Sequence, residues 1–182
     1  MYYRLLSGAD RLQEYQQAFE QASGNAVAMG YLEEARVIGL FRRGRMIGGF
    51  VLKNGPNLRY ANMLQHHSDK LPFELDKVVE ITCYFLTEKS PMLSSVAGLI
   101  IALECWRGGS DYVLAGTRIE KVYRTHSRVI PNVFHEGLVE TPKGPQYWWF
   151  YWAERRRLPA LVSREILHRY LPRRKVALPV SG

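Results

Sequence analysis

The sequence is poor in the residues of sulfur and metal chemistry. Only two of its 182 residues are cysteines, Cys83 and Cys105. They stand far apart in apolar runs, and neither belongs to a CxxC or Cys/His spacing. That argues against a disulfide framework and a zinc site, and it predicts two buried thiols in a reducing compartment. The one paired histidine, His66-His67, stands in a polar stretch and reads as a solvated loop, so no metal is expected. Long hydrophobic runs are lacking too. The longest helical apolar stretch, Val96–Leu103, is too short to span a bilayer. The N-terminal MYYRLLSGADRLQEY has no apolar core of signal-peptide length, which predicts a cytoplasmic protein. Repeats, low-complexity tracts and linkers are absent, as is any recognised nucleic-acid motif. Negative charge is in deficit: 17 acidic against 25 basic side chains leave a net charge of +8. Such a balance favours acidic partners, from nucleic acid to an acidic carrier protein or a phosphorylated cofactor.

What is present is an ordinary globular composition. Hydrophobic residues make up 47% and charged residues 23%, and the length suits one domain with a sizeable core. The most informative stretch is ARVIGLFRRGRMIGGFVLK, Ala35–Lys53. Two apolar runs flank Arg42-Arg43-Gly44-Arg45, and Gly44 can take the positive φ of a tight hairpin turn. Before it, Tyr2–Leu6 reads as a strand. A helix is predicted from Arg11 to Ser23, with Asp10 as its cap and Gly24 as its stop. Asn25–Leu32 reads as a short helix or loop. After Asn54-Gly55-Pro56, Leu58–Asp76 reads as an irregular surface excursion.

Lys77–Lys89 is rich in β-branched and aromatic residues and predicts a central strand. Ser90-Pro91 opens an apolar, buried helix that runs to Trp106 and ends at Gly108-Gly109. Asp111–Thr117 reads as a buried strand and Ile119–Val129 as a helix. Val133–Glu140 and Tyr147–Ala153 read as a final strand pair. The tail holds a short helix, Ser163–Leu171, between basic clusters Arg155–Arg157 and Arg173–Lys175.

This order resembles that of the GNAT acyltransferase superfamily over roughly Tyr2 to Arg156. VIGLFRRGRMIGGFVL is similar to the family's hairpin, with a basic turn and a glycine pair opening the second strand. The resemblance implies an α/β (α+β) fold, a mixed central sheet flanked by helices in a single domain. That domain would span residues 1–156, followed by a basic extension over 157–182. It also implies an acyl-CoA donor, or an acyl chain on a carrier protein, with its pyrophosphate at the N-terminus of the Ser90-Pro91 helix. The family's Gly-rich phosphate turn is not conserved in TEKSPMLSS. Lys89, Ser90, Ser94 and Ser95 are the residues there that would meet the donor. The preceding strand would part from the next one to admit the pantetheine arm. Backbone groups near Cys83 and Phe85 would polarise the thioester carbonyl.

Two residues are candidate catalysts. Glu80 is a carboxylate inside an apolar strand, where burial raises a pKa, and the resemblance implies a general base for an attacking amine. The plain alternative is an edge carboxylate or a salt-bridge partner. Tyr123 stands where the family keeps a tyrosine that protonates the leaving thiolate, although the following residues differ; a packing role competes. His126 and His135 are further acid–base candidates. In Tyr147–Trp152, alternation sets Trp148, Phe150 and Trp152 on one face. Tyr147, Trp149 and Tyr151 lie on the other, and Trp149 and Tyr151 are candidates to line an acyl or substrate pocket.

The expected function is transfer of an acyl group from a thioester to an amine of a small molecule or protein, possible as a homodimer. The alternatives are a non-catalytic binding or regulatory protein on the same fold, and a basic nucleic-acid-binding protein. The enclosed helix Pro91–Trp106 disfavours the last.

Overall fold

A computed structural model of the protein describes residues 1–64, 72–88, 90–141 and 144–171. Its spine is a seven-stranded mixed sheet in the order β1-β2-β3-β4-β5-β7-β6. The strands are β1 Tyr2–Leu6, β2 Arg36–Arg42, β3 Arg45–Asn54, β4 Val78–Leu86, β5 Tyr112–Thr117, β6 Asn132–Val139 and β7 Gln146–Glu154. Only β4 and β5 run parallel; every other neighbouring pair is antiparallel. The helices are α1 Ala9–Ser23, α2 Met29–Glu33, α3 Arg59–Met63, α4 Pro91–Arg107, α5 Glu120–His126 and α6 Leu158–Tyr170. The expected α+β class is the one observed, and the elements follow the expected order except for the added α3.

The hairpin forms as its sequence predicts. β2 and β3 are joined by Arg43 and Gly44, with φ of 50° and 78°. Two consecutive positive φ values define the turn whose twist matches paired strands. The glycine pair that follows is required by crowding. A Cβ on Gly48 would lie 2.5 Å from the Phe85 carbonyl oxygen, and one on Gly49 2.5 Å from that of Ile38.

Each face of the sheet has its own cover. Val79, Ile81, Val113, Ala115 and Tyr151 pack with Leu93, Ala97 and Ile100 of α4 and Leu158 and Val162 of α6. On the opposite face, Leu12, Tyr15 and Phe19 of α1 cover Val37, Val51 and Phe85. Further along that face Tyr60 and Ala61 of α3 cover Val78, Leu114 and Phe150. Both cysteines are buried and free.

Four local readings are corrected. Asp10 is not the cap of α1: Gly8 holds that position, and Asp10 sits in the first turn, where its charge suits the helix dipole. The central strand is shorter than Lys77–Lys89, because Leu75–Lys77 forms a 3-10 turn before it. The excursion contains α3, which has no side-chain cap of its own. α6 begins at Leu158 rather than Ser163, with Pro159 in its first turn, a position that tolerates proline. Lys89, His66-His67 and Arg173–Lys175 lie outside the described residues.

Candidate active site

The sheet opens at its centre. β4 and β5 pair through only four residues, from Val78↔Tyr112 to Ile81↔Ala115. Beyond them β4 continues to Leu86 along β3, and β5 continues to Thr117 along β7. The two central strands therefore part after Ile81 and Ala115. The register of β4 against β3 also jumps here, from Val51↔Thr82 to Gly49↔Phe85. Cys83 lies in the bulge with a φ of 49°, a conformation rare for a residue that is not glycine. Tyr15 Oη donates to the Cys83 carbonyl at 2.6 Å and fixes the bulge from α1.

Glu80 lies two residues before the parting, on the face covered by α3. It is fully buried. Its Oε1 accepts the backbone N–H groups of Tyr60 at 2.8 Å and Ala61 at 3.0 Å. Glu80 thus caps α3 from a neighbouring strand, satisfying donors that a short helix leaves open. Its Oε2 is buried with no hydrogen-bond partner among the described residues. Burial pushes its pKa up to about 7, against the opposing pull of the α3 N–H groups and Arg59. A carboxyl poised there can change protonation near neutrality. Neither an edge position nor an ion pair explains it.

A polar cluster surrounds Glu80. Tyr31 Oη of α2 pairs with Thr82 Oγ1 at 3.0 Å, and Tyr31 titrates well above its ordinary value through burial and the nearby Glu80 charge. Arg59 is half-buried, and its side-chain bond among the described residues is a long one, 3.6 Å from Nη1 to Cys83 Sγ. No carboxylate stands within ion-pair distance of it among the described residues. Tyr60 Oη donates to the Gly116 carbonyl on β5 at 3.1 Å, so α3 touches both sides of the parting.

On the opposite face the parting is lined by rings. Tyr84 follows the bulge and meets His126 edge-on at 6.1 Å. His126 Nδ1 pairs with Tyr151 Oη at 2.8 Å, and burial pushes its pKa down to about 4, leaving a neutral imidazole at pH 7. Tyr123 of α5 stacks on Trp149 at 5.4 Å. The positive charge of Arg169, on α6, reaches both Tyr84 and His126.

The predicted site residues therefore fall into separate places. Glu80 and Cys83 meet at the parting on one face; Tyr123, Trp149 and Tyr151 meet on the other. The Phe85 side chain points away, packed edge-on against Tyr15 at 5.5 Å. At the start of α4, Ser90 Oγ accepts from Leu93 N, while Ser94 and Ser95 donate their hydroxyls back to the carbonyls of Ser90 and Pro91. Pro91 has no N–H, so this helix start offers few donors to a phosphate. Sequence reasoning missed Arg59, Tyr31 and Tyr84. For Tyr84 the signal was available, because it alternates with Cys83 and Phe85 on the central strand. Among the described residues no group of three His, Cys, Asp or Glu side chains could hold a metal, and no helix is long and apolar enough to cross a membrane.

No family model matches the sequence, and no curated protein does so significantly. Solved structures do match. FeeM, an N-acyl amino acid synthase from uncultured soil microbes, is 14% identical with a TM-score of 0.60, over 88% of this chain and 95% of that one. MesI, a CoA-dependent acyl-homoserine lactone synthase, is 13% identical with a TM-score of 0.55, over 90% and 94%. A ribosomal-protein-alanine N-acetyltransferase from Brucella melitensis is 14% identical with a TM-score of 0.58, over 85% and 99%. At such identities the likeness shows the fold, and that fold is the GNAT-like one the sequence resembles.

Proposed function

We propose that this divergent GNAT-fold chain is an N-acyltransferase that moves an acyl group from a thioester to the amine of a small acceptor carrying an anionic group. The observation that carries the reading is the parting of β4 and β5 beside the Cys83 bulge, with Oε2 of Glu80 buried next to it and unpartnered among the described residues. A parted strand pair leaves edge amides to hold a pantetheine arm, and a bulge turns backbone groups toward a carbonyl. The structural neighbours are named for acyl transfer, two of them as synthases of acylated small molecules.

In this reading the amine attacks the thioester carbonyl carbon directly, forming the C–N bond. Glu80 takes the proton that the amine loses. The C–S bond then breaks, and Tyr123 or Tyr84 returns a proton to the thiolate. Arg59, which has no ion-pair partner among the described residues, holds the anionic group of the acceptor beside Glu80. An acceptor that presents an amine and a carboxylate together is an amino acid. The donor is acyl-CoA or an acyl carrier; the sparse phosphate grip at α4 favours binding through the acyl-pantetheine portion. Trp149 and Tyr151 line the acyl side.

The test is release of free thiol from a panel of acyl-CoA and acyl-carrier donors, with amino acids, amino acid amides and simple amines as acceptors. Release is expected with amino acids foremost. Arg59→Met should raise KM for amino acids about 10-fold or more, the scale of one lost charge-assisted bond, and leave that for amides nearly unchanged. Release with no donor and acceptor pair would overturn the reading in favour of a non-catalytic protein on the same fold.

A further inference from the structure

The outer side of α4 is apolar where a solvent-facing helix should be polar. No charged residue occurs from Pro91 to Leu103. Met92, Leu99, Leu103 and Trp106 are exposed at 64%, 45%, 41% and 49%, and Val96 is partly buried among them. At 100° per residue these five side chains fall within an arc of about 80°, along roughly 21 Å of helix. The sheet and α6 occupy the other sides, through Leu93, Ala97 and Ile100 and through the approach of Val162 to Gly98. A helix that is apolar all round belongs inside a protein, so this face lacks a partner. Toward β1 the stripe is bordered by a polar network, in which Tyr3 Oη, Arg36 and Arg107 all donate to the carboxylate of Glu104.

We propose that this face is covered by a second copy of the chain, with the two α4 helices packed antiparallel about a twofold axis at Leu99. Three features single out that occupant. The spacing of the stripe is 4-3-4-3, the repeat by which one helix fits the holes of another. The stripe is also self-complementary. Met92 and Trp106 each lie seven residues from Leu99, so an antiparallel copy sets each Trp106 against the other copy's Met92, a favourable sulfur–aromatic contact. Finally, the end charges are opposite: Glu88, paired with Arg42, precedes α4 with 41% of its side chain exposed, and Arg107, paired with Glu104, closes it with 58% exposed. Antiparallel packing brings each Arg107 toward the other copy's Glu88. A membrane-seeking face would carry basic residues along its whole length, whereas those beside this stripe, Arg107 and Arg155 over the Trp106 ring at 5.5 Å, stand at its C-terminal end.

The stripe is one face of a single helix, short of the broad surface of an obligate dimer, so a reversible dimer is expected in the micromolar range. Sedimentation velocity on the full chain across that range should show a concentration-dependent shift from monomer to dimer. Leu99→Glu should abolish the shift and leave the thermal midpoint of the monomer unchanged, because Leu99 is not part of the core. Leu99→Cys should form a disulfide-linked dimer on mild oxidation, since the two copies of residue 99 face each other on the axis; Cys83 and Cys105 are buried and should not. A chain that stays monomeric throughout overturns the proposal, whether or not it binds anionic vesicles through the same stripe. A dimer that survives Leu99→Glu, or that Leu99→Cys fails to cross-link, overturns it as well.

Discussion

Glu80 meets two opposed demands. Its Oε1 anchors α3, while its Oε2 is buried without a partner among the described residues. With its pKa raised by burial from 4.5 to about 7, the folded protein binds this proton more tightly than the unfolded chain does. Its contribution to stability is therefore fully present below about pH 4.5 and is lost as pH rises through about 7, a fall of order 3 kcal/mol. Glu80→Gln should accordingly be more stable than the parent at pH 8, by about 1–3 kcal/mol, and close to it at pH 5; urea unfolding at both values checks this. If Glu80 is the base, the same variant should lose ~10²–10⁴-fold in turnover, and the parent's rate should rise with pH to a plateau above about 7. Greater stability with lower turnover would mark a carboxyl kept for chemistry. A stability difference independent of pH would show that Glu80 is not held near neutrality.

The elements differ in how far their own residues account for them. The β2–β3 hairpin was legible because alternation, a Gly-containing turn and a glycine pair are all local signals. Its glycines are under strict steric demand, so Gly49→Ala should destabilise by about 1–3 kcal/mol, as overpacking does, with the midpoint of thermal unfolding as the readout. α4 was legible from Ser90-Pro91 and its apolar run, and Ser90 does cap it. α3 was not. It is five residues long, has no capping side chain, and owes its N-terminus to Glu80, about twenty residues further along the chain. No local pattern records that help. The start of α4 carries its own prediction. Because Pro91 and Ser90 leave few N–H groups for phosphate, an acyl-pantetheine thioester should raise the thermal midpoint nearly as far as the matching acyl-CoA. A much larger shift with acyl-CoA would place a phosphate grip that the described residues do not account for.

At the scale of the molecule, the chain carries a net charge of +8 and the centre of the fold is apolar. If a carrier protein brings the donor, basic surface should steer it, and raising ionic strength should increase KM for the carrier-borne donor more than for the pantetheine thioester. Equal salt dependence would leave the basic surface without that role. The residues of the proposed site also divide between two faces. Glu80, Thr82, Tyr31 and Arg59 gather under α2 and α3, and Tyr84, Tyr123, His126 and Trp149 gather under α5 and α6. An acceptor on one face and a thioester on the other would meet through the opening between β4 and β5.

By itself the amino-acid sequence determined the order of elements, the central strand, the buried helix after it and the tight hairpin. Each of these follows from periodicity, turn chemistry and capping within a few residues. It also singled out Glu80, since a carboxylate amid Val78, Val79, Ile81 and Cys83 is conspicuous wherever it ends up. Only the tertiary structure decided that β4 and β5 pair for four residues and then part, that Cys83 bulges, and that Arg59 stands beside it. It alone brought Tyr31 to Thr82 and His126 to Tyr151, across 51 and 25 residues of chain. These relations depend on strand register and on how helices seat against the sheet. Many distant contacts settle such features together, and no short window of sequence contains them.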